Sequence, residues 1–231
     1  MSVSVNTVYQ RVLAILNKEQ RGYVSPQEFN LFANQAQMDL FEQYFYDINQ
    51  FGRLHGNDTE YSDMLTLLNE KINIFEKTDA MTYTAGYWQL PADPDGVYRI
   101  GTIIYNGIEV ERVNANEYLY INASPLTKPT DTRPIFVASN SGYKVYGAAE
   151  LTAGVTCNYI KRPADVEWAA EDLPGAPAYD PVNSKDFELH DSEETELVYK
   201  ILELAGVAIK ELNVYQVANQ MEIENLQQEK A

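Results

Sequence analysis

The chain has one cysteine and two histidines in 231 residues, and half as many basic as acidic side chains. A lone cysteine excludes an internal disulfide, and the strand-like neighbours of Cys157 read it as a small buried hydrophobe. His55 lies in a polar connection and His190 beside Asp191, and neither has a second His or Cys at ligand spacing. A solvated or helix-capping role is expected for each, with no metal and no cofactor. Gly-rich phosphate loops and the Gly-x-Ser-x-Gly elbow of hydrolases are missing too. No general base stands beside a nucleophile, so an enzyme is not expected.

Positive charge is scarce: 17 Lys and Arg stand against 34 Asp and Glu, giving a net charge of -17 and a pI near 4.4. That sign repels phosphate backbones and anionic membranes alike. No stretch approaches the roughly 20 apolar residues that a spanning helix needs, so a soluble protein with no membrane partner is expected. The first six residues lack the basic region and apolar run of a secretory signal, so the sequons at Asn57 and Asn122 carry no weight.

What is present begins with helix patterns. Val8, Val12, Ile15 and Leu16 recur at helical spacing after the possible caps Asn6 and Thr7, and the polar turn 17–22 closes that element. The next start signal is unusually complete: Ser25 as cap, Pro26 at the first helical position, Glu28 to finish a capping box, and Val24 to staple against Phe29. Phe29, Phe32, Ala33, Ala36, Leu40 and Tyr44 share one face, widened by Phe41 and Phe45. A polar connection follows over 51–58. A third helix is predicted from about Thr59, with Tyr61, Met64, Leu65, Leu68, Ile72 and Phe75 in period. Amphipathic helices this short must pack on one another, on the C-terminal helix or on a neighbouring subunit.

Near Met81 the pattern changes to short runs rich in Tyr and β-branched residues. The run 83–90 ends at Pro91, and Asp93-Pro94-Asp95-Gly96 reads as a turn rather than a calcium loop, because regular ligand spacing and a distal Glu are missing. Asn106-Gly107, between Ile103-Ile104-Tyr105 and Ile108, predicts a two-residue hairpin whose loop positions both need positive φ. The stretch 114–121 is ambiguous, with a short helix as one alternative. Residues 134–138 and 143–146 form a second candidate hairpin, and 155–161 a further strand. Five or six such strands predict an antiparallel sheet or small barrel. The tyrosines between 83 and 159, with Trp88 and Trp168, either line a stacking surface for sugars or bases or fill half-buried strands and interfaces; the second reading is favoured.

From 165 to 191 the composition is acidic and Pro-rich, which predicts an extended connection or a loop ordered by a partner. Asp191 or Ser192 is the expected cap of a last helix, with Glu193, Glu194 and Glu196 near its positive end. Leu197, Val198, Ile201, Leu202, Ala205, Ala208, Ile209 and Leu212 form its apolar face. Beyond Tyr215 the sequence is too polar for a core. Tyr215, Val217, Met221, Ile223 and Leu226 make a thin apolar stripe among Gln and Asn, suited to a partner's groove. The expected fold class is α+β: a helical bundle from both chain ends (1–80 with 192–231), an inserted antiparallel β domain (81–168) and an acidic connection (169–191).

Several stretches resemble the head–tail adaptor and tail tubular (ring) proteins of tailed bacteriophages. They are the N-terminal helices, Tyr87-Trp88-Gln89-Leu90-Pro91-Ala92-Asp93, the run 155–163, the Pro-Ala-Asp-x-x-Trp stretch from Pro163 to Trp168, and the closing helix from Glu196 to Gly206. The resemblance covers most of the chain in the order of its elements. It implies a virion structural protein, assembled in the host cytoplasm as a homo-oligomeric ring, often dodecameric, beneath the portal protein. An adjacent tail or ring protein would lie beyond it, and DNA would be its passing cargo. The C-terminal stripe would then contact portal. The alternatives are another tail ring or stopper protein, or a glycan- or host-binding module built on the Tyr-rich middle.

Overall fold

The computed structural model describes residues 2–18, 24–51, 59–93, 95–171, 178–209 and 220. Its fold class is α+β, as the sequence predicts. The chain divides into two units: Met1–Ile74 with Pro163–Ala231, mostly helical, and Phe75–Arg162, all but one of whose elements are strands. The boundaries fall six residues earlier than the expected 80 and 168.

In the helical unit, α1 (Val5–Lys18) buries a ridge of Val5, Val8, Tyr9, Val12 and Leu16. Ile15 falls off the edge of that ridge and is 45% exposed, against expectation. The capping box of α2 (Pro26–Phe51) is present: the Ser25 N–H and hydroxyl donate to Glu28 Oε2 at 2.9 and 2.8 Å, and the Glu28 N–H returns to Ser25 Oγ at 3.3 Å. Val24 and Phe29 are both buried, as the staple requires. Phe29, Ala33, Ala36, Leu40, Phe41 and Tyr44 form the inward face of α2, with Phe32 and Phe45 at its half-buried margins. α3 (Thr59–Asn73) packs on α2 through Leu68 and Ile72. Both α1 and α2 pack on α5 (Glu194–Ile209), whose Leu197, Val198, Ile201, Leu202 and Ala205 are buried. Helices from the two ends of the chain therefore pack against one another.

The acidic stretch is not a bare connection. Its described residues form a strap folded onto the helices of its own unit, and Val166, Trp168, Phe187 and Leu189 are buried in it. Side-chain amides of α2 hold the strap by its backbone. Asn30 donates to Trp168 O and accepts from the Trp168 N–H, at 3.2 and 2.9 Å. Asn34 does the same with Val166, at 3.0 and 2.7 Å. Gln37 donates to Ala164 O at 2.8 Å and accepts from the Glu188 N–H at 3.1 Å. The spacing explains the ladder: four helical residues rise about 6 Å, close to the roughly 6.6 Å of two extended residues. The strap also pins the N-terminus, with Asp186 Oδ1 accepting from the Val5 N–H at 2.9 Å and Phe187 bridging to Val3. A short hairpin, β10 (Ala170–Glu171) with β11 (Ala178–Tyr179), interrupts it.

In the β unit, β1 (Glu76–Ala80), β9 (Val155–Lys161), β4 (Val97–Tyr105) and β5 (Ile108–Glu109) form one sheet in that order. The second sheet runs β2 (Thr82–Thr84), β3 (Tyr87–Gln89), β8 (Gly142–Tyr146), β7 (Ile135–Ser139), β6 (Glu111–Arg112). β1 and β2 are separated by one residue, Met81, and β5 and β6 by one residue, Val110; both are buried. Met81 N donates to Val155 O at 3.0 Å and Val110 N to Ile103 O at 2.9 Å, so each bent strand turns a corner while still paired. The two sheets thus join at both edges into a flattened barrel. Its core holds Met81, Trp88, Ile103, Val110, Phe136, Val145, Val155, Cys157 and Tyr159.

The Asn106-Gly107 hairpin is present, with Tyr105 paired to Ile108 and φ of 48° and 80° at the loop positions. The second predicted hairpin pairs β7 with β8. The run 83–90 proves to be two strands around Ala85-Gly86, again with positive φ at both positions, 53° and 83°. β6 and β7 are parallel and so need a crossover, which α4 (Ala115–Ala123) supplies.

Candidate functional site

The residues predicted to contact a partner, Tyr215, Val217, Met221, Ile223 and Leu226, lie outside the described residues, as do His55 and Leu212. His190 is described and is itself the cap: its Nδ1 accepts from the Ser192 N–H at 3.3 Å, opening a 3₁₀ turn over Asp191–Glu193 that leads into α5. The cap thus sits one residue before the expected Asp191. Cys157 is fully buried, and burial pushes its thiol up to about 11, which removes it from nucleophilic chemistry near neutrality. Trp88, Trp168 and Tyr159 are core residues. The Trp88 indole donates to Leu151 O at 2.9 Å, and Trp168 packs 4.4 Å from the Tyr9 ring and donates to Asn6 Oδ1 at 3.2 Å. They offer no open stacking platform.

The 93–96 turn joins a polar cluster in the β unit. The buried Tyr159 hydroxyl lies 2.7 Å from Asp79 Oδ2 and 3.0 Å from Asp93 Oδ2, and Lys77 Nζ lies 2.7 Å from the same Asp93 oxygen. The Lys77 hydrogen bond holds the Asp93 carboxyl below its ordinary value of 3.8. Burial, with the two carboxylates, pushes the Tyr159 phenol upward. A phenol kept protonated and a carboxylate already matched by an ammonium brace the paired strands β1 and β9; they offer neither a free base nor a cation site. Gly96 N donates to Asp93 O at 3.0 Å, closing the turn with φ of 86° at Gly96.

A second polar cluster lies among the helices. The Lys71 ammonium is 2.5 Å from Glu193 Oε1, which is almost wholly buried, and 5.5 Å from the Tyr44 ring centroid. Asp47 and Glu196 are also buried in this unit. The pair links α3 to the turn that leads into α5, and a buried salt bridge of this kind is weak evidence for stability. Among the described residues, no group of three or more His, Cys, Asp or Glu side chains has the geometry to hold a metal ion, and no helix is long and apolar enough to cross a membrane.

The outer surface is more informative than these clusters. α4 buries none of its residues; Leu119 is 67% exposed, Tyr120 79%, and Leu126 in the following turn 95%. The helical unit exposes Leu31, Tyr46, Leu67 and Val182. A cavity of about 240 Å³ lies beside the Val110 corner of the β unit, lined by Ile100, Ile103, Phe136, Ala138 and Tyr143, with Glu109 and Arg112. Charge is divided sharply between the units. Residues 75–162 hold 9 Asp and Glu against 8 Lys and Arg, while the rest of the chain holds 25 against 9. That contrast can be counted once the boundaries are known, and the whole-chain value of -17 conceals it.

The chain matches no known family model and no curated protein.

Proposed function

We propose that this chain is a virion structural subunit: a head–tail adaptor that assembles as a homo-oligomeric ring under the portal protein, with an adjacent tail or ring protein beyond it and DNA passing through. The observation that carries the reading is the layout. The N-terminal helices α1 and α2 pack on the C-terminal helix α5, and the β unit leaves and re-enters through the paired strands β1 and β9. That is the arrangement the sequence resemblance implies. An acidic conduit would repel DNA phosphates and let the genome slide without sticking. The role is structural rather than catalytic, and the C-terminal stripe Tyr215, Val217, Met221, Ile223 and Leu226 is the part assigned to portal.

Native mass spectrometry and electron microscopy of the chain mixed with its portal protein test the reading. A closed ring bound to portal is the expected result. A chain that stays monomeric and ignores portal overturns it, and a ring that binds only a tail protein moves the assignment to a more distal ring or stopper. Deleting residues 216–231 should leave the melting temperature nearly unchanged while strongly weakening attachment to portal. Undiminished attachment would remove the stripe from the interface.

A further inference from the structure

We propose that α4 docks on the β unit of a second copy of this chain, with the Tyr120 side of the helix entering the cavity beside the Val110 corner. The inference rests on the reading of the chain as a ring subunit and names the contact.

A helix that crosses between two parallel strands ordinarily covers the sheet with its apolar side. α4 does not: none of its residues is buried, and Leu119, Tyr120 and Leu126 face outward at 67%, 79% and 95% exposure. Nor is it a loose loop. Glu117 accepts from the Asn114 N–H at 3.2 Å, Thr127 Oγ1 donates to Ile121 O at 3.2 Å, and the Tyr118 ring stacks on Tyr146 at 4.3 Å. A pre-formed apolar helix loses little conformational freedom on binding, which is what a docking element requires.

Charge selects the occupant. Contact between two helical units opposes units that each carry 25 acidic against 9 basic residues in sequence; contact between two β units opposes units with 9 against 8. Two copies of a chain with net charge -17 therefore meet at least electrostatic cost through their β units. The β unit also offers the complementary shape. Its cavity of about 240 Å³, lined by Ile100, Phe136 and Tyr143, is below the roughly 300–1,000 Å³ of small-molecule pockets and suits one inserted side chain. A helix of one copy entering a cavity of the next, formed by different residues, makes a heterologous contact, the kind that propagates into rings.

Sedimentation velocity of the full chain over a range of concentrations, at low and high ionic strength, tests the proposal. Wild type should self-associate with little dependence on salt. Leu119→Ser with Tyr120→Ser should weaken association at least ~10-fold. Ala138→Glu, which places a charge at the cavity, should do the same, while Leu31→Ser with Tyr46→Ser should change nothing. These side chains are exposed, so circular dichroism should be unaltered. Mixing the α4 and Ala138 variants should restore a dimer that does not grow, because each keeps one half of the contact. Assembly of the α4 variant as tightly as wild type overturns the proposal. So does a mixture that forms no dimer, or association that tightens steeply with salt and depends on Leu31 and Tyr46; in each of these cases the ring reading stands. A wild type that is monomeric at every concentration, with and without portal, overturns both.

Discussion

The β unit closes on itself, through strands that bend at Met81 and Val110 and a mixed aliphatic and aromatic core between two sheets. The helical unit is instead closed by a segment more than a hundred residues away in sequence, which Asn30, Asn34 and Gln37 hold by its backbone. The first draws its core from residues within 75–162. The second has its N-terminal helices, strap and last helix on opposite sides of the insertion, so it completes its core only after the β unit has been spanned. The units differ in charge as they differ in construction. The nearly neutral one relies on hydrophobic burial and strand pairing; the strongly acidic one adds side-chain amides that hold the strap by its backbone and the Lys71–Glu193 ion pair.

The largest effect expected from breaking this contrast is at Phe187, a fully buried strap residue. Phe187→Ala should destabilise the helical unit by about 3–5 kcal/mol while leaving hydrogen-exchange protection in β4, β7 and β9 unchanged. Equal loss of protection in both units would show that they unfold together. A smaller effect sharpens the role of the ladder. Asn34→Ala leaves the Val166 N–H and C=O without their partner and should cost about 2–3 kcal/mol in urea unfolding. Asn34→Asp, which keeps the acceptor and loses the donor, should fall between that variant and wild type. If Asn34→Ala costs no more than an exposed substitution, the strap is held by Trp168 and Phe187 alone.

The smallest effect belongs to the β unit and to pH. The folded Asp93 carboxyl titrates below 3.8, so the stability it contributes is present above 3.8 and is lost as pH falls through the folded value. Its partner Lys77 is raised above 10.5 by the Asp93 hydrogen bond, so that contribution is complete below 10.5 and is lost as pH rises through the folded value. The difference in melting temperature between wild type and Asp93→Asn should therefore be flat between these limits and shrink outside them. Because Lys77 is partly exposed, the difference should be small throughout. A difference that peaks inside the window would mean that another group titrates with the cluster.

The sequence made some of this plain and hid the rest for physical reasons. Local chemistry was legible: Ser25 to Glu28 and Asn106-Gly107 each specify their geometry through neighbouring residues, and both are present. Hidden features depend on distant partners. β1, with the sequence Glu-Lys-Thr-Asp-Ala, has no apolar alternation and all five residues exposed, because an edge strand takes its stability from pairing with β9. Ala85-Gly86 lacks the usual Asn or Asp of such turns, so one apparent run concealed two strands. The strap read as an extended connection because its composition is acidic; Asp165 and Glu167 are indeed exposed, but Asp180 is buried and Asp186 and Glu188 accept hydrogen bonds from the distant backbone N–H groups of Val5 and Ala164. For the candidate surfaces, the exposed Leu and Tyr of α4 were invisible as such, since periodicity cannot tell a helix that packs from one that is displayed.

The amide ladder carries an evolutionary consequence. Asn30, Asn34 and Gln37 bind N–H and C=O groups that every residue except proline possesses, and the strap positions between the anchors, Asp165 and Glu167, are exposed. Their side chains are free to drift in size and sign without loosening the dock, so the outer face of the strap can be rewritten by mutation while its path stays fixed. At 166 and 168, whose side chains are buried, proline is barred for a further reason, because it would remove the N–H that each asparagine reads.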